Sequence, residues 1–179
     1  MPFHLQTASD FRYLTTVSSE SKSEPRSGCP VSVALEKFGD RWSLLIIRDL
    51  MVRGYTTFKQ FQNSGEGIAT NILSTRLKKL KAAGIVSSES EKADARRVHY
   101  RLTEKGIDLA PVLLELLLWS AKHEKTGAPC ELMAQMGQNR AAVLAETRRR
   151  WAERDPTPLL PPFRSTAPSR APKSKRSKR

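Results

Sequence analysis

The sequence predicts a mainly α-helical domain that carries one small β-hairpin. Three observations say so. Apolar residues recur at helical spacing from Val31 to Leu80. After Gly84 the pattern changes to two short runs, Ile85 to Ser90 and Arg97 to Leu102, the second nearly alternating. After Thr103 a helical stretch resumes, with the almost unbroken apolar run Val112 to Trp119.

Pro30 to Gly39 carries Val31, Ala34, Leu35 and Phe38 on one face, a short helix ended by glycine. Asp40 is placed to cap the next helix, Arg41 to Val52. Trp42, Leu45, Ile46, Asp49 and Leu50 mark a wide arc there, which makes that helix central to the core. Gly54 ends it. Thr56 or Thr57 then caps a short helix holding Phe58 and Phe61, and Asn63 to Gly67 is a turn.

Ile68 to Gly84 is the most informative stretch. Leu73, Leu77 and Leu80 form one stripe, Leu77 and Leu80 falling within about 40° of Leu73 at 3.6 residues per turn. Asn71, Thr75 and Lys78 fall roughly opposite, with Ser74 at about 100°. That outer face holds short hydrogen-bonding side chains and one cation. A solvated helix face carries more Glu and Lys. A helix entering a DNA groove favours small donors and acceptors that reach base edges.

Ile85 to Ser90 and Arg97 to Leu102 are joined by Lys92 to Arg97, with Asp94 a turn residue. Three helices followed by a basic-tipped hairpin is the arrangement of a winged helix-turn-helix. Thr103 caps the helix after the hairpin, with Gly106 in its first turn. Pro111 either kinks that helix or marks its start. Its apolar arc is wider than one core-facing stripe. The second face needs a partner, either a second copy or more of the same chain.

Charge agrees with a polyanion partner. The 179 residues hold 31 basic and 18 acidic side chains, a net charge of +13. Most of the excess falls in residues 148–179, where six of the chain's 11 prolines follow Asp155. Residues 156–179 are therefore expected to be a disordered basic tail. Residues 1–27, Ser-rich and weakly patterned, are expected to be a flexible arm. The globular unit is 28–127, and 128–155 adds one C-terminal helix marked by Leu132, Met136, Val143, Leu144 and Trp151. That helix either extends a dimer or docks on its own chain.

Two cysteines exclude a disulfide-stapled fold and a four-ligand zinc site. No apolar run is long enough to span a membrane, and no signal peptide is visible, so a cytoplasmic setting is expected. No paired carboxylates, nucleophile elbow, phosphate-binding loop or metal-ligand spacing is present, so neither catalysis nor a cofactor is expected.

The residues resemble those of the HxlR-type transcriptional regulators of bacteria and archaea. The matching blocks are Cys29-Pro30, Ala34-Leu35, Gly39 to Trp42 with Leu44 to Leu50, and Phe58 to Phe61. Gly67 to Leu77 follows, with Leu80 and Gly84-Ile85, and then Arg97 to Gly106. The resemblance covers about residues 29–123. It implies a homodimeric DNA-binding transcription factor whose dimer contacts run through the first helix and the long helix after the wing. One departure stands out. Many relatives open the recognition helix with Ser-Pro, where this chain has Ala69-Thr70, and Thr70 could cap a helix starting one residue later. Cys29 matches a cysteine that some members use to sense oxidants or electrophiles. Its alternative is a small apolar residue with no sensing role.

The residues expected to meet double-stranded DNA are Thr70, Asn71, Ser74, Thr75 and Lys78 in the major groove, with Arg96 and Arg97 of the wing on phosphates. Arg76 fits an internal ion pair or a phosphate contact equally well. Lys59 and Gln60 touch backbone or simply face solvent. A small-molecule or redox effector, the latter through Cys29, is compatible with the sequence. The competing function is a general polyanion binder driven by the tail. The uncharged face of Asn71, Ser74 and Thr75 argues against it, because electrostatic binding gains more from Lys and Arg.

Overall fold

The computed structural model describes residues 27–91 and 97–160. The expected arm 1–27 therefore lies outside the described residues except for Ser27, and so does most of the expected tail, from 161 onward.

Four helices come first: α1 (Pro30–Phe38), α2 (Arg41–Val52), α3 (Phe58–Gln62) and α4 (Thr70–Ala82). The hairpin follows as β1 (Val86–Ser90) and β2 (Val98–Leu102), antiparallel, with Val86 opposite Leu102 and Ser90 opposite Val98. A single turn, α5 (Glu104–Ile107), leads into α6 (Ala110–His123). The mainly α fold with a small wing is as the sequence predicts.

The core lies where α2, α3 and α4 meet the root of the hairpin. Ile46, Ile47, Phe61, Leu73, Leu77, Leu80, Ile85, Leu102 and Ile107 are all buried there. The leucine stripe of α4 is thus its inward face, as the helical period requires. Asp40 caps α2: its carboxylate accepts from the Ser43 amide at 3.0 Å and from the Ser43 hydroxyl at 2.6 Å. Thr57, rather than Thr56, caps α3, in a reciprocal capping box with Gln60.

Thr103 caps α5 through the Gly106 amide and donates its own hydroxyl to the Gly84 carbonyl at 2.6 Å. Gly106 is required by close approach, because a Cβ there would stand 2.2 Å from the Ile85 carbonyl oxygen. Pro111 lies in the first turn of α6 and marks its start without kinking it, since the missing N–H is one that a first turn leaves unpaired.

The single helix expected over 128–155 is two: α7 (Cys130–Gln138) and α8 (Arg140–Glu153). Asn139 sits between them at φ −113°, ψ 38°, and its side chain donates to the Gln135 carbonyl at 2.9 Å. The Asn139 backbone amide donates to the same carbonyl at 3.0 Å, so both bonds cap the end of α7. The break lets each short helix turn its own apolar face to α6. Met133, Met136 and Leu114 are buried together, with Val143, Leu144 and Leu118 packed around them.

Of the two fates the sequence left open, α7 and α8 dock on their own chain. The first residues of the expected tail dock as well. The Leu159 amide donates to the Val52 carbonyl at 2.7 Å, and Leu160 is buried. Pro156 runs so close to Gly54 (φ +67°) that a Cβ on that glycine would meet its carbonyl oxygen at 2.5 Å.

Candidate nucleic-acid interface

A buried charge holds the turn between α3 and α4. Asp49 of α2 lies in the interior, 2.7 Å from Arg48 Nη2 and 3.1 Å from Arg53 Nη1. Burial pushes its carboxyl above the ordinary value, and the two guanidiniums oppose that rise. The same two arginines reach the turn. Arg48 Nη1 stands 2.8 Å from Glu66 Oε1, and Arg53 Nη1 donates to the Ser64 carbonyl at 3.0 Å. The orientation of α4 relative to α2 is thus fixed by a network that periodicity does not reveal. The signal that could have found it is a charged residue amid the inward positions of the central helix, flanked by two arginines.

At its N-terminus, α4 departs from expectation. Ala69 is the N-cap, with extended backbone and no side chain able to cap. Thr70 is the first helical residue and does not cap. Its hydroxyl instead accepts from Gln62 Nε2 at 3.0 Å, a link back to α3. The Thr70 hydroxyl is taken up by this link to α3, and the missing cap bond costs about 1 kcal/mol.

The outer face of α4 is open. Thr70, Asn71, Thr75 and Lys78 are exposed, and Ser74 is half-buried. Thr75 donates its hydroxyl proton to the Asn71 carbonyl at 2.8 Å, leaving its oxygen as an acceptor and its methyl free to point outward. Asn71 presents both a donor and an acceptor, which suits a bidentate base contact. No acidic residue occurs in α4, which carries Arg76, Lys78, Lys79 and Lys81. Arg76 takes the internal option: its Nε lies 3.0 Å from Asp40 Oδ1, and Lys79 Nζ lies 3.7 Å from Oδ2.

Burial raises the Asp40 carboxyl, but the Ser43 bonds and these two cations outweigh it and hold it below the ordinary value. Lys59 is exposed beside this face, whereas Gln60 is occupied by its capping box.

The wing is anchored beside α3. The Tyr100 amide donates to the Thr56 carbonyl at 2.7 Å, and Phe61 meets Tyr100 edge-on. Arg97, at the wing's described edge, is largely exposed, with Nη1 3.7 Å from Glu91 Oε2. Arg96 lies outside the described residues. Cys29 is exposed at the N-cap of α1, far along the chain from the α4 face. Among the described residues, no cluster of His, Cys, Asp and Glu could hold a metal ion, and no helix is long and apolar enough to cross a membrane.

A helix-turn-helix braced from behind, with an exposed polar second helix and a wing beside it, defines a winged helix-turn-helix DNA-binding protein. The family model described as HxlR-like helix-turn-helix matches residues 37–127, and the chain belongs to that family. Its members are transcriptional regulators, a class distinct from enzymes.

An uncharacterized HTH-type transcriptional regulator of Synechocystis sp., sll1512, is 30% identical over 112 residues, 62% of this chain and 82% of the relative. YdeP of Bacillus subtilis, described in the same words, is 30% identical over 102 residues, 57% of this chain and 79% of its own. The solved structure of PA1607 superposes with a TM-score of 0.53 at 37% identity, covering 60% of this chain and 72% of that one. Helices α7 and α8 and the 156–160 segment all follow the matched region.

Proposed function

We propose that the chain acts as a homodimer that binds a pseudo-palindromic operator and represses or activates the adjoining gene. The observation that carries this reading is the exposed, acid-free row of Thr70, Asn71, Thr75 and Lys78 on α4. In this account that row, with Ser74 at its margin, reads base edges in the major groove. Lys59 and the wing arginines Arg96 and Arg97 fix position on phosphates.

Dimerisation is supported by apolar residues left in water. Val31 and Leu35 of α1 are 65% and 56% exposed, and Val112, Leu116 and Trp119 of α6 are 44%, 45% and 58% exposed. They sit at helical spacing on the two helices, and the opposite face of α6 is already covered by this chain. Large apolar side chains left in water at helical spacing mark a protein interface. A two-fold dimer places two recognition helices on one side of the duplex, so half-sites fall about one helical turn, or a multiple of it, apart.

The test is selection from a random duplex library at near-physiological salt, with protein ending at residue 160. Cutting there removes the basic residues of 161–179 while keeping the packed Leu159 and Leu160. A two-fold symmetric site is the expected outcome. Enrichment of no sequence, with full-length protein still binding every duplex, would transfer the function to the tail.

A redox effector is a second reading, favoured by one observation. The backbone N–H groups of Ser32 and Val31 at the start of α1 hold the exposed Cys29 thiol below its ordinary pKa. A thiolate there is the reactive form. Iodoacetamide at neutral pH should then modify Cys29 ahead of Cys130; equal labelling would remove the reason to prefer it.

A further inference from the structure

A cavity of about 340 Å³ opens between α2, α6, α7, α8 and the segment that follows α8. That is the size of a small-molecule site. Leu45 of α2, Leu117 of α6, Met136 of α7, Val143 of α8 and Leu160 give every wall an apolar surface. Protein interiors pack closely, with few voids larger than a water molecule. Side chains around a larger apolar space forfeit dispersion contacts, and water finds few partners in it. An apolar occupant restores those contacts.

The walls hold no charge free to meet a ligand. Arg48 and Arg53 are the only charged residues in the lining, and both guanidiniums are engaged. Arg48 holds Asp49 and Glu66, and Arg53 holds Asp49 and the Ser64 carbonyl. Two cations thus meet two carboxylates, and neither carboxylate belongs to the lining. An ionised ligand would lose its hydration here and gain no counter-charge. The remaining polar groups are hydroxyls. Thr147 donates to the Val143 carbonyl at 2.7 Å, and Thr126 accepts from the Ala128 amide at 3.4 Å. Ser120 makes no side-chain hydrogen bond among the described residues, so one polar group on a ligand has a partner.

The cavity is separate from both proposed interfaces. No residue of α4 or of the wing lines it. Of the five exposed apolar residues assigned to the dimer, only Leu116 lines it. A second copy seated on that face therefore meets the rim and leaves the interior to another occupant. Met136, Val143, Thr147, Leu159 and Leu160 all follow residue 127, where the family match ends, so this wall is an addition to the family's domain.

We propose that this cavity binds an uncharged, largely apolar small molecule of the aromatic-alcohol kind, its body against Leu117, Met136 and Val143. Helix α2 forms one wall and carries Asp49, whose arginine partners hold the turn before α4, so the occupant is placed to act as an effector. Only that role rests on the DNA-binding reading; the binding itself does not.

The test is calorimetric titration of the full-length protein, without DNA, using 1-naphthol, uncharged at neutral pH, and its anionic counterpart 1-naphthoate. Ala121→Phe and Val143→Phe each fill the cavity, one from α6 and one from α8. Saturable binding of 1-naphthol is expected, at least tenfold weaker in each variant and at least tenfold weaker for 1-naphthoate on the native chain. No saturable binding of 1-naphthol, equal affinity in native and filled proteins, or equal or tighter binding of 1-naphthoate overturns the proposal. The comparison of the two ligands uses the native chain alone, so it decides even where a filled variant does not fold. Sedimentation velocity on the same samples tests the other occupant. If 1-naphthol or either filling converts dimer to monomer, the space receives a second copy and the ligand site falls. Failure of 1-naphthol binding would leave the operator selection untouched.

Discussion

The indole Nε1 of Trp151 donates to the Leu102 carbonyl at 2.8 Å, across 49 residues of sequence. Leu102 ends the second wing strand, and Trp151 lies in the last turn of α8. A helix outside the family's matched region therefore fixes the root of the wing. Trp151→Phe keeps the apolar ring and removes only the donor. The buried carbonyl left unpaired should cost about 1–3 kcal/mol, read as a lower urea midpoint at unchanged m-value. A midpoint within error of the native one would show that α8 does not brace the wing.

Asn71 offers an exposed amide in the first turn of α4, able to give and take a hydrogen bond at once. Asn71→Ala should relax base preference at one position of each half-site, at about 1–3 kcal/mol per lost bidentate contact. Binding across a panel of single-base operator variants measures it. An unchanged preference profile would remove Asn71 from the reading face.

Leu116 is exposed at the centre of the α6 apolar face. In a monomer, Leu116→Lys should alter stability by no more than about 0.5 kcal/mol, the usual surface effect. In the proposed dimer it buries an unpaired charge at the interface. Sedimentation velocity should find native protein as dimer and the variant as monomer, with weaker operator binding. Two dimers of equal affinity would move the interface elsewhere.

Asp40 links the start of α2 to the middle of α4 through Arg76 and Lys79. Its folded pKa is depressed, so its contribution is present above the unfolded value and is lost as pH falls through the folded one. Asn is an equally good N-cap, so Asp40→Asn isolates the charge. The variant should lose up to about 1 kcal/mol at neutral pH, since the pair is partly exposed. The gap to native protein should close below about pH 4, the unfolded aspartate range. A gap that persists in acid would mean that the cap, not the charge, carries the effect.

The α4 stripe was legible because one helix face repeats within a few residues. Leu73, Leu77 and Leu80 declare the inward side, and Asn71, Thr75 and Lys78 follow as the outward one. The capping of α2 by Asp40 and the two strands were legible for the same reason, since each is a local arrangement of backbone and neighbouring side chains; the α3 cap was narrowed to Thr56 or Thr57, and the structure makes it Thr57. The start of α4 was not legible. Thr70 has the chemistry of a cap, but it is the first helical residue and its hydroxyl accepts from Gln62 of α3, a contact across eight residues that the local pattern does not show.

Local periodicity alone therefore determined the class: helices, a wing and a polar outer face on α4. Tertiary structure decided what depends on residues far apart in the chain. It placed Asp49 between Arg48 and Arg53 to hold the helix-turn-helix turn, and broke the C-terminal helix at Asn139. It also folded α7, α8 and Leu160 back over α6, and set Trp151 under the wing. These outcomes rest on which apolar faces find each other and which buried polar groups find partners. Both are settled by the whole chain's packing, because an unpaired buried group costs more than any local propensity can return.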